Sequence, residues 1–420
     1  MALGSVGYAV DKINDATKAV GRIPTQSSFC SFHSFLAMAK LTSTDTLLPE
    51  DRLKATKWVN GLIFVVAMWF FSRLLIVVAM QVISPLLDYQ PVTYSRLPLD
   101  FVPGFVPKTG WELFSHWDGK WYKRIATIGY DFAMDGEWHS IAFFPLFPLL
   151  SRGVMTLGLP FEVAATLVNN LALLGAMFVL YLWAEERYGI GEARWSAVIL
   201  AWCPFSLYGT VIYTEGLFLL LTTAALRAFD NRQYARSALW GAMATATRGT
   251  GITLIPAFVF VAWRERRPAS AYVAGLAASV GLLLFILFCA IRFGDPLAFA
   301  HVQQAWDQPT WLNIFHSLLY RNKESWLRVI MVFGGGYLLW HMRRQLPRVA
   351  VVYGFCSLAL IVTSGALASV SRYAYGTVSL SLALGIMLSN HPRWGYAVIG
   401  FFSILLASFA VRFAGWQWVA

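Results

Sequence analysis

Stretches of about 15–25 residues without an acid or a base recur along this chain, the length a helix needs to cross a hydrocarbon core about 30 Å thick. Composition agrees. Apolar and aromatic residues make up 58% of the chain, charged residues only 13%, and the mean hydropathy is +0.57, against roughly 45–50% apolar and 25% charged in a soluble domain. A water-soluble fold is excluded. The strand-length alternation of an outer-membrane barrel is absent, so helices must satisfy the backbone in lipid. The chain reads as an all-α, polytopic transmembrane protein.

The net charge of +11 does not point to nucleic acid, because most Lys and Arg lie in short segments between apolar blocks, where they orient a chain in the bilayer. We assign no nucleic-acid partner. Of the four cysteines, Cys203, Cys289 and Cys356 sit inside apolar blocks and Cys30 in the polar N-terminus, which suits neither a disulfide framework nor a metal-spaced pair. The first 50 or so residues show no secretory signal pattern, and no Asn-x-Ser/Thr sequon occurs.

The first span runs from about 58 to 83. Before it lie Lys12, Lys18, Arg22, Lys40, Arg52, Lys54 and Lys57, which makes residues 1–57 a cytoplasmic segment and 58–420 the integral-membrane domain. Further spans fall at about 161–184, 195–212, 214–229, 235–247, 250–263, 269–291, 325–341, 348–365, 370–389 and 394–413, about 11 in all. The inside turns then hold Arg187, Arg194, Arg232, Arg236, Arg264, Arg266, Arg267, Arg343, Arg344, Arg348 and Arg393. This consistency requires block 141–158, with Pro145 and Pro148, to lie against the outer face as an interfacial element. Blocks 235–247 and 250–263 are short, so their junction, Thr247-Arg248-Gly249-Thr250-Gly251, dips below the surface with Arg248 at the floor of a cavity.

The outer side collects the unusual polar sequence, densest at Ser115-His116-Trp117-Asp118-Gly119-Lys120-Trp121-Tyr122-Lys123-Arg124. Asp118 begins a helix of about 118–128, and two readings stand for it. It is either a helix cap or a general base acting on a sugar hydroxyl, flanked by indoles that stack on sugar rings and cations that hold a phosphate.

His-Trp-Asp-Gly-Lys-Trp-Tyr, followed by Phe143-Phe144-Pro145-Leu146-Phe147-Pro148, Tyr213-Thr214-Glu215-Gly216-Leu217-Phe218, Thr247-Arg248-Gly249-Thr250-Gly251, Phe293-Gly294-Asp295-Pro296-Leu297-Ala298-Phe299 with Trp306, and Ser371-Arg372-Tyr373, resembles the PIG-V family. This is the mannosyltransferase 2 class of GPI-anchor assembly, with its prokaryotic relatives. The resemblance covers about 115–375. It implies a GT-C-type glycosyltransferase that takes a sugar from a polyprenyl-phosphate donor, with inversion, and passes it to a lipid-linked or glycan acceptor on the lumenal or periplasmic face.

Carried over residue by residue, it makes Asp118 the first candidate base and Glu215 the second. Arg248 and Arg372 are candidates for the donor phosphate, with Lys120 and His116 as alternates, and Trp117, Trp121, Tyr122 and Tyr373 for sugar or acceptor contact. The compact length and absent sequons favour a bacterial inner membrane, with the endoplasmic reticulum as alternative. A lipid-phosphate leaving group needs no nucleotide site, so no cofactor is expected.

Several residues keep plainer readings. Glu215 could pair structurally with an arginine, Arg248 and Arg372 could hold lipid headgroups, and Asp295 sits in a Gly-Asp-Pro turn. A metal site from His116, His139, Asp131, Asp135 and Glu137 matches no ligand spacing, and none is assigned. The rival function is a transporter or flippase of a lipid-linked glycan, which would place charge near the bilayer midplane. Arg73 is the one clear charge there.

Overall fold

The computed structural model describes residues 50–87, 109–306, 325–364 and 369–419, and every regular element among them is helical. The expected cytoplasmic segment before residue 50 lies outside the described residues, as do the rest of the first outer loop at 88–108 and the segment 307–324.

In chain order the helices are α1 (Glu50–Val78), α2 (Asp118–Thr127), α3 (Leu146–Met155), α4 (Phe161–Tyr188), α5 (Ile190–Trp202), α6 (Glu215–Asp230), α7 (Tyr234–Thr247), α8 (Leu254–Arg264), α9 (Ala269–Ala277) and α10 (Val280–Phe293). After them come α11 (Gly335–Met342), α12 (Arg348–Thr363), α13 (Val370–Tyr375), α14 (Val378–Ser389) and α15 (Pro392–Ala414). Four continuous helical runs, Val59–Leu86, Phe161–Tyr188, Ala269–Phe293 and Pro392–Ala414, are long and apolar enough to cross a membrane. Leu284, Ile291, Phe401 and Ile404 are exposed on these runs, an apolar surface that only lipid can cover.

The other helices fall where the sequence places them but are shorter, so the count of about 11 crossings rests on the sequence alone. Two expected spans are broken. Block 195–212 stops as α-helix at Trp202, because Pro204 lacks an N–H and its ring disrupts the preceding turn, and continues as a tighter helix over Pro204–Gly209. Block 370–389 divides into α13 and α14 at Gly376 and Thr377. Block 141–158 takes in the end of a tight turn, Ser140–Ala142, and the ten-residue α3, about 15 Å long and too short to cross.

α4 packs along α5 and α6, α6 along α7, and α5 along α14. The arginine-rich turns meet at one end of this bundle. Arg187 pairs with Asp230 at 2.5 Å, Arg227 with Glu186, and Arg348 with Glu265 at 2.8 Å, while the Tyr188 hydroxyl donates to the Gln345 carbonyl. Glu215 and Arg248 stand at the opposite ends of α6 and α7 from these turns. The grouping of loops required by the charge pattern is thus present in space.

The break after Trp202 exposes backbone oxygens inside the bundle, and Arg73 occupies them. Its guanidinium donates to the carbonyls of Ala201 and Ser206 at 2.9 and 2.7 Å, to Thr210 Oγ1 at 2.8 Å and to Ser206 Oγ at 2.8 Å. The mid-span charge therefore fastens a broken helix. Arg73→Leu leaves the Ser206 carbonyl without its guanidinium donor and the Ala201 carbonyl with Ser206 Oγ alone, and is expected to cost about 3 kcal/mol, read as a lower thermal midpoint of the detergent-solubilised protein. An unchanged midpoint would contradict this role.

Candidate active site

Four charged side chains from four separate helical boundaries meet. Arg372 Nη1 donates to Asp118 Oδ2 at 2.6 Å, Arg372 Nε lies 3.3 Å from Glu215 Oε1, and Arg248 Nη1 donates to the same oxygen at 2.7 Å. The order Asp118, Arg372, Glu215, Arg248 alternates in sign and sums to zero charge. Isolated ions so deeply placed would each cost several kcal/mol. Glu215 is fully buried and Arg372 nearly so, whereas the Asp118 side chain keeps 21% of its exposure.

Each member is aimed by a local departure from regular helix. Trp117 has φ 52 and ψ −117, a conformation a bulky residue adopts only at a cost of roughly 1–3 kcal/mol. It turns the chain so that α2 starts at Asp118. The helix has no side-chain cap, so the capping reading of Asp118 gives way to the ion pair with Arg372. The Asp118 N–H points to the Tyr213 hydroxyl at 3.4 Å.

Glu215 opens α6 where Asn169 holds the approach. The buried Asn169 amide donates to the carbonyls of Tyr208 and Val211 at 2.8 and 2.7 Å, and its Oδ1 accepts the Gly216 N–H at 2.9 Å. A Cβ on Gly216 would lie 2.3 Å from the Asn169 carbonyl oxygen, so only glycine fits beside the acid. Arg248 is extended between α7 and the tight turn Gly249–Thr253, which sends its side chain inward.

Aromatic rings hem the guanidinium groups. Arg248 stands 4.6 Å from the Tyr373 ring and 5.5 Å from Phe218, and Arg372 stands 5.0 Å from Tyr213, 5.2 Å from Tyr373 and 5.8 Å from Trp418. Such rings attract cations while leaving their N–H groups for an anion. A small cleft opens beside Arg248 and Tyr373, with the hydroxyl-bearing Thr250, Tyr353, Ser357 and Thr377 on its wall. The Arg248 guanidinium is the donor there best suited to a phosphate, since Thr377 Oγ1 donates to the Tyr373 carbonyl at 3.3 Å and Ser357 Oγ shares a hydrogen bond with Thr253 Oγ1 at 3.1 Å.

The sequence-assigned residues therefore divide. Asp118, Glu215, Arg248, Arg372 and Tyr373 come together. Trp117 is half-buried at their edge, against Trp416 and Trp418. Lys120 stands 5.0 Å over the Trp416 ring, on the outer side of the same aromatic group.

His116 is placed differently from the phosphate role given to it. It is buried, stacked on Phe413 and Trp416, with Nδ1 3.0 Å from the Phe413 carbonyl. Burial pushes its pKa down to about 3, so it stays neutral and offers no cation. Trp121 and Tyr122 are also core residues, packed on Phe143 and Phe147. Their faces meet protein where a sugar would have to stack.

Sequence reasoning missed Tyr213, Asn169, Trp416 and Trp418. Tyr213 stood inside a quoted motif, next to Glu215. The two tryptophans near residue 418 carried no signal separating them from an interfacial belt.

A second polar cluster lies between α2 and α3. His139 Nδ1 is 2.9 Å from Asp131 Oδ2 and Nε2 is 2.9 Å from Asp135 Oδ1, while Asp131 also accepts from Ser140 Oγ and Arg124. No group of three or more potential metal ligands forms among the described residues. Asp295 is engaged in its own turn, accepting from the Leu297 N–H at 2.9 Å and facing His301 Nδ1 at 2.6 Å.

With this geometry in place, comparison with known proteins decides the family. The family model for Mannosyltransferase (PIG-V) matches residues 62–305, more than half of the 420 residues. The chain belongs to the PIG-V mannosyltransferase family. Curated relatives include GPI alpha-1,6-mannosyltransferase 2 of Homo sapiens, 27% identical over 152 residues, and that of Cricetulus griseus, 30% identical over 154. Each alignment spans 34% of this chain and 30% of the relative, so the chain matches under a third of the length of those relatives.

Among solved structures, ArnT from Cupriavidus metallidurans, bound to undecaprenyl phosphate, is similar at a TM-score of 0.50 and 15% identity. The match covers 83% of this chain and 63% of that one. The fold is that of the GT-C membrane glycosyltransferases, and this is a multi-pass membrane protein.

The His139 cluster gives a pH prediction. Burial alone would lower the His139 pKa, but hydrogen bonds to Asp131 and Asp135 outweigh it and raise the pKa above the usual value. Asp131, despite burial that acts to raise it, and Asp135 are held low by their hydrogen bonds. The His139 contribution is complete below its unfolded pKa of about 6.5 and fades as pH rises through the raised folded value. The aspartate contributions hold above about 3.9 and fade in acid through the lowered ones. Amide exchange across residues 129–140, corrected for intrinsic rate, is therefore expected to be slowest near pH 5–6 and faster at pH 8. His139→Gln should abolish that difference. A wild-type profile flat from pH 5 to 8 would contradict it.

Proposed function

We propose that this chain is a membrane glycosyltransferase that moves a mannosyl group from a polyprenyl-phosphate donor to a hydroxyl of a lipid-linked or glycan acceptor, with inversion. The observation that supports this most is the contact between a part-exposed carboxylate, Asp118, and Arg372, which shares Glu215 with Arg248, the guanidinium that borders the cleft. Asp118 takes the acceptor hydroxyl proton as the new bond forms between that oxygen and the anomeric carbon. The bond from carbon to phosphate oxygen breaks, and its electron pair leaves on the polyprenyl phosphate.

The leaving group passes from one negative charge toward two, so Arg372 and Arg248 attract it more strongly as the reaction proceeds. Only such differential attraction accelerates the step. Glu215, buried with both arginines on one oxygen, holds the pair together and has no open path to an acceptor, so we assign Asp118 as the base. Trp117, Tyr373 and Lys120 border the place where sugar and acceptor meet.

The basic turns gather at the far ends of the helices that carry Glu215 and Arg248. We therefore place the site on the periplasmic or lumenal side, with residues 1–57 in the cytoplasm and the glycosyltransferase domain over 58–420. A bacterial inner membrane is our reading, with the endoplasmic reticulum as alternative. The transport reading would use Arg73 as its midplane charge, and Arg73 is committed to backbone oxygens.

Supplied with polyprenyl-phosphate-mannose and candidate acceptors, Asp118→Asn is expected to lose about 10²–10⁴ in kcat, the usual worth of a general base, with donor binding retained. Carrier movement without sugar transfer, unaffected by that substitution, would instead support transport. Arg372→Ala is expected to weaken donor binding far more than Arg393→Ala, which removes an exposed arginine at the start of α15. Equal effects, with thermal midpoints matched, would count against the placement.

A further inference from the structure

In the structure the proposed base is already engaged, since Asp118 Oδ2 accepts a hydrogen bond from Arg372 at 2.6 Å. An oxygen facing a guanidinium at that distance is poorly placed to receive a hydroxyl proton from the same side. Taking the proton would also leave Arg372 with only a share of Glu215, whose Oε1 already serves Arg248. The two arginines and two acids balance as they stand, so an acceptor alone gains nothing by entering.

A phosphodiester changes that balance. It brings one negative charge to the cleft lined by Arg248 and Tyr373, and from there it competes with Asp118 for Arg372, which stands 5.2 Å from the same Tyr373 ring. The guanidinium has an axis for the exchange. Its Nε stays beside Glu215 Oε1 while Nη1, the end that now holds Asp118, is the one that must swing. We infer that the donor phosphate displaces Asp118 from Arg372, with Glu215 as the pivot, so that donor binding both fills the site and frees the base, and the acceptor reacts only afterwards. This rests on the polyprenyl-phosphate reading of the site.

After the exchange two guanidiniums face Glu215 and the phosphate, again in balance, and Asp118 stands alone as the one uncompensated negative charge of the site. Binding order is thereby built into the ion pairs. Water or a stray hydroxyl meets a base engaged by Arg372 until a sugar donor is in place.

The test uses the full chain in detergent and sugar-free undecaprenyl phosphate as probe, so no turnover is needed. Asp118 reactivity toward a water-soluble carbodiimide and an amine is followed by mass spectrometry of its peptide. Saturable binding of the probe with at least a threefold faster modification of Asp118 is the expected result, together with fast modification of Asp118 in Arg372→Gln without any probe. Saturable binding that leaves the Asp118 rate unchanged or slower would overturn the exchange while leaving the transferase reading in place. A slow Asp118 in Arg372→Gln would overturn it as well, by showing that Arg372 does not restrain the acid. Absence of saturable binding would overturn the phosphate-site reading itself, and the inference with it.

Discussion

The structure depends on keeping two arginines and two acids of alternating sign together away from bulk water. Such a group is tolerable only if its buried members, Glu215, Arg248 and Arg372, stay paired, since a bare buried ion costs several kcal/mol, whereas Asp118 keeps partial access to water. That requirement explains where the helices stop. Trp117 accepts a strained backbone, Arg248 stretches out between two helices, Gly216 lies too near the Asn169 carbonyl oxygen for a side chain, and the chain breaks again just after Arg372. None of these breaks serves a uniform membrane bundle. Together they deliver four side chains to one point.

A second layer of polar groups supports this point without touching it. Asn169 knits the Tyr208–Gly216 approach to the flank of α4, and Arg73 collects the oxygens released where α5 gives way. Both are buried, and both satisfy backbone groups that lipid could not. The bundle thus sets these two polar frames around the four-residue ion-pair group. Energy spent on strain and buried charge at one end is offset by ordinary apolar packing along the rest of the helices.

Much of this was legible in the sequence, for a physical reason. Charge is so disfavoured in a membrane chain that the few residues bearing it stand out, and Asp118, Glu215, Arg248 and Arg372 could be singled out individually. The basic turns sorted the loops into two groups, and the ion pairs joining residues 186–187 to 227–230 and 265 to 348 show those turns gathered in space. Aromatic residues were harder to read. Trp121 and Tyr122 flank Asp118 in sequence, yet the helical period turns them into the core, and His116 is captured between Phe413 and Trp416 from some 300 residues away. Trp418 lies near the site only because α15 returns to it. The two broken spans were hidden for a related reason. A hydropathy block records apolar content but not whether the backbone inside it remains helical, and at Pro204 it does not.

The central claim is that the cleft beside Arg248 and Tyr373, lined from α6, the turn after α7, α12 and α13, receives a polyprenyl phosphate. Its most direct measurement is photo-crosslinking with an undecaprenyl phosphate that carries a diazirine next to the phosphate, followed by mapping of the labelled peptides. The account predicts adducts within 248–253, 353–357 and 372–377, all suppressed by excess unlabelled carrier. Adducts confined to the arginine-rich turns near 187, 232, 265 and 345 would contradict it.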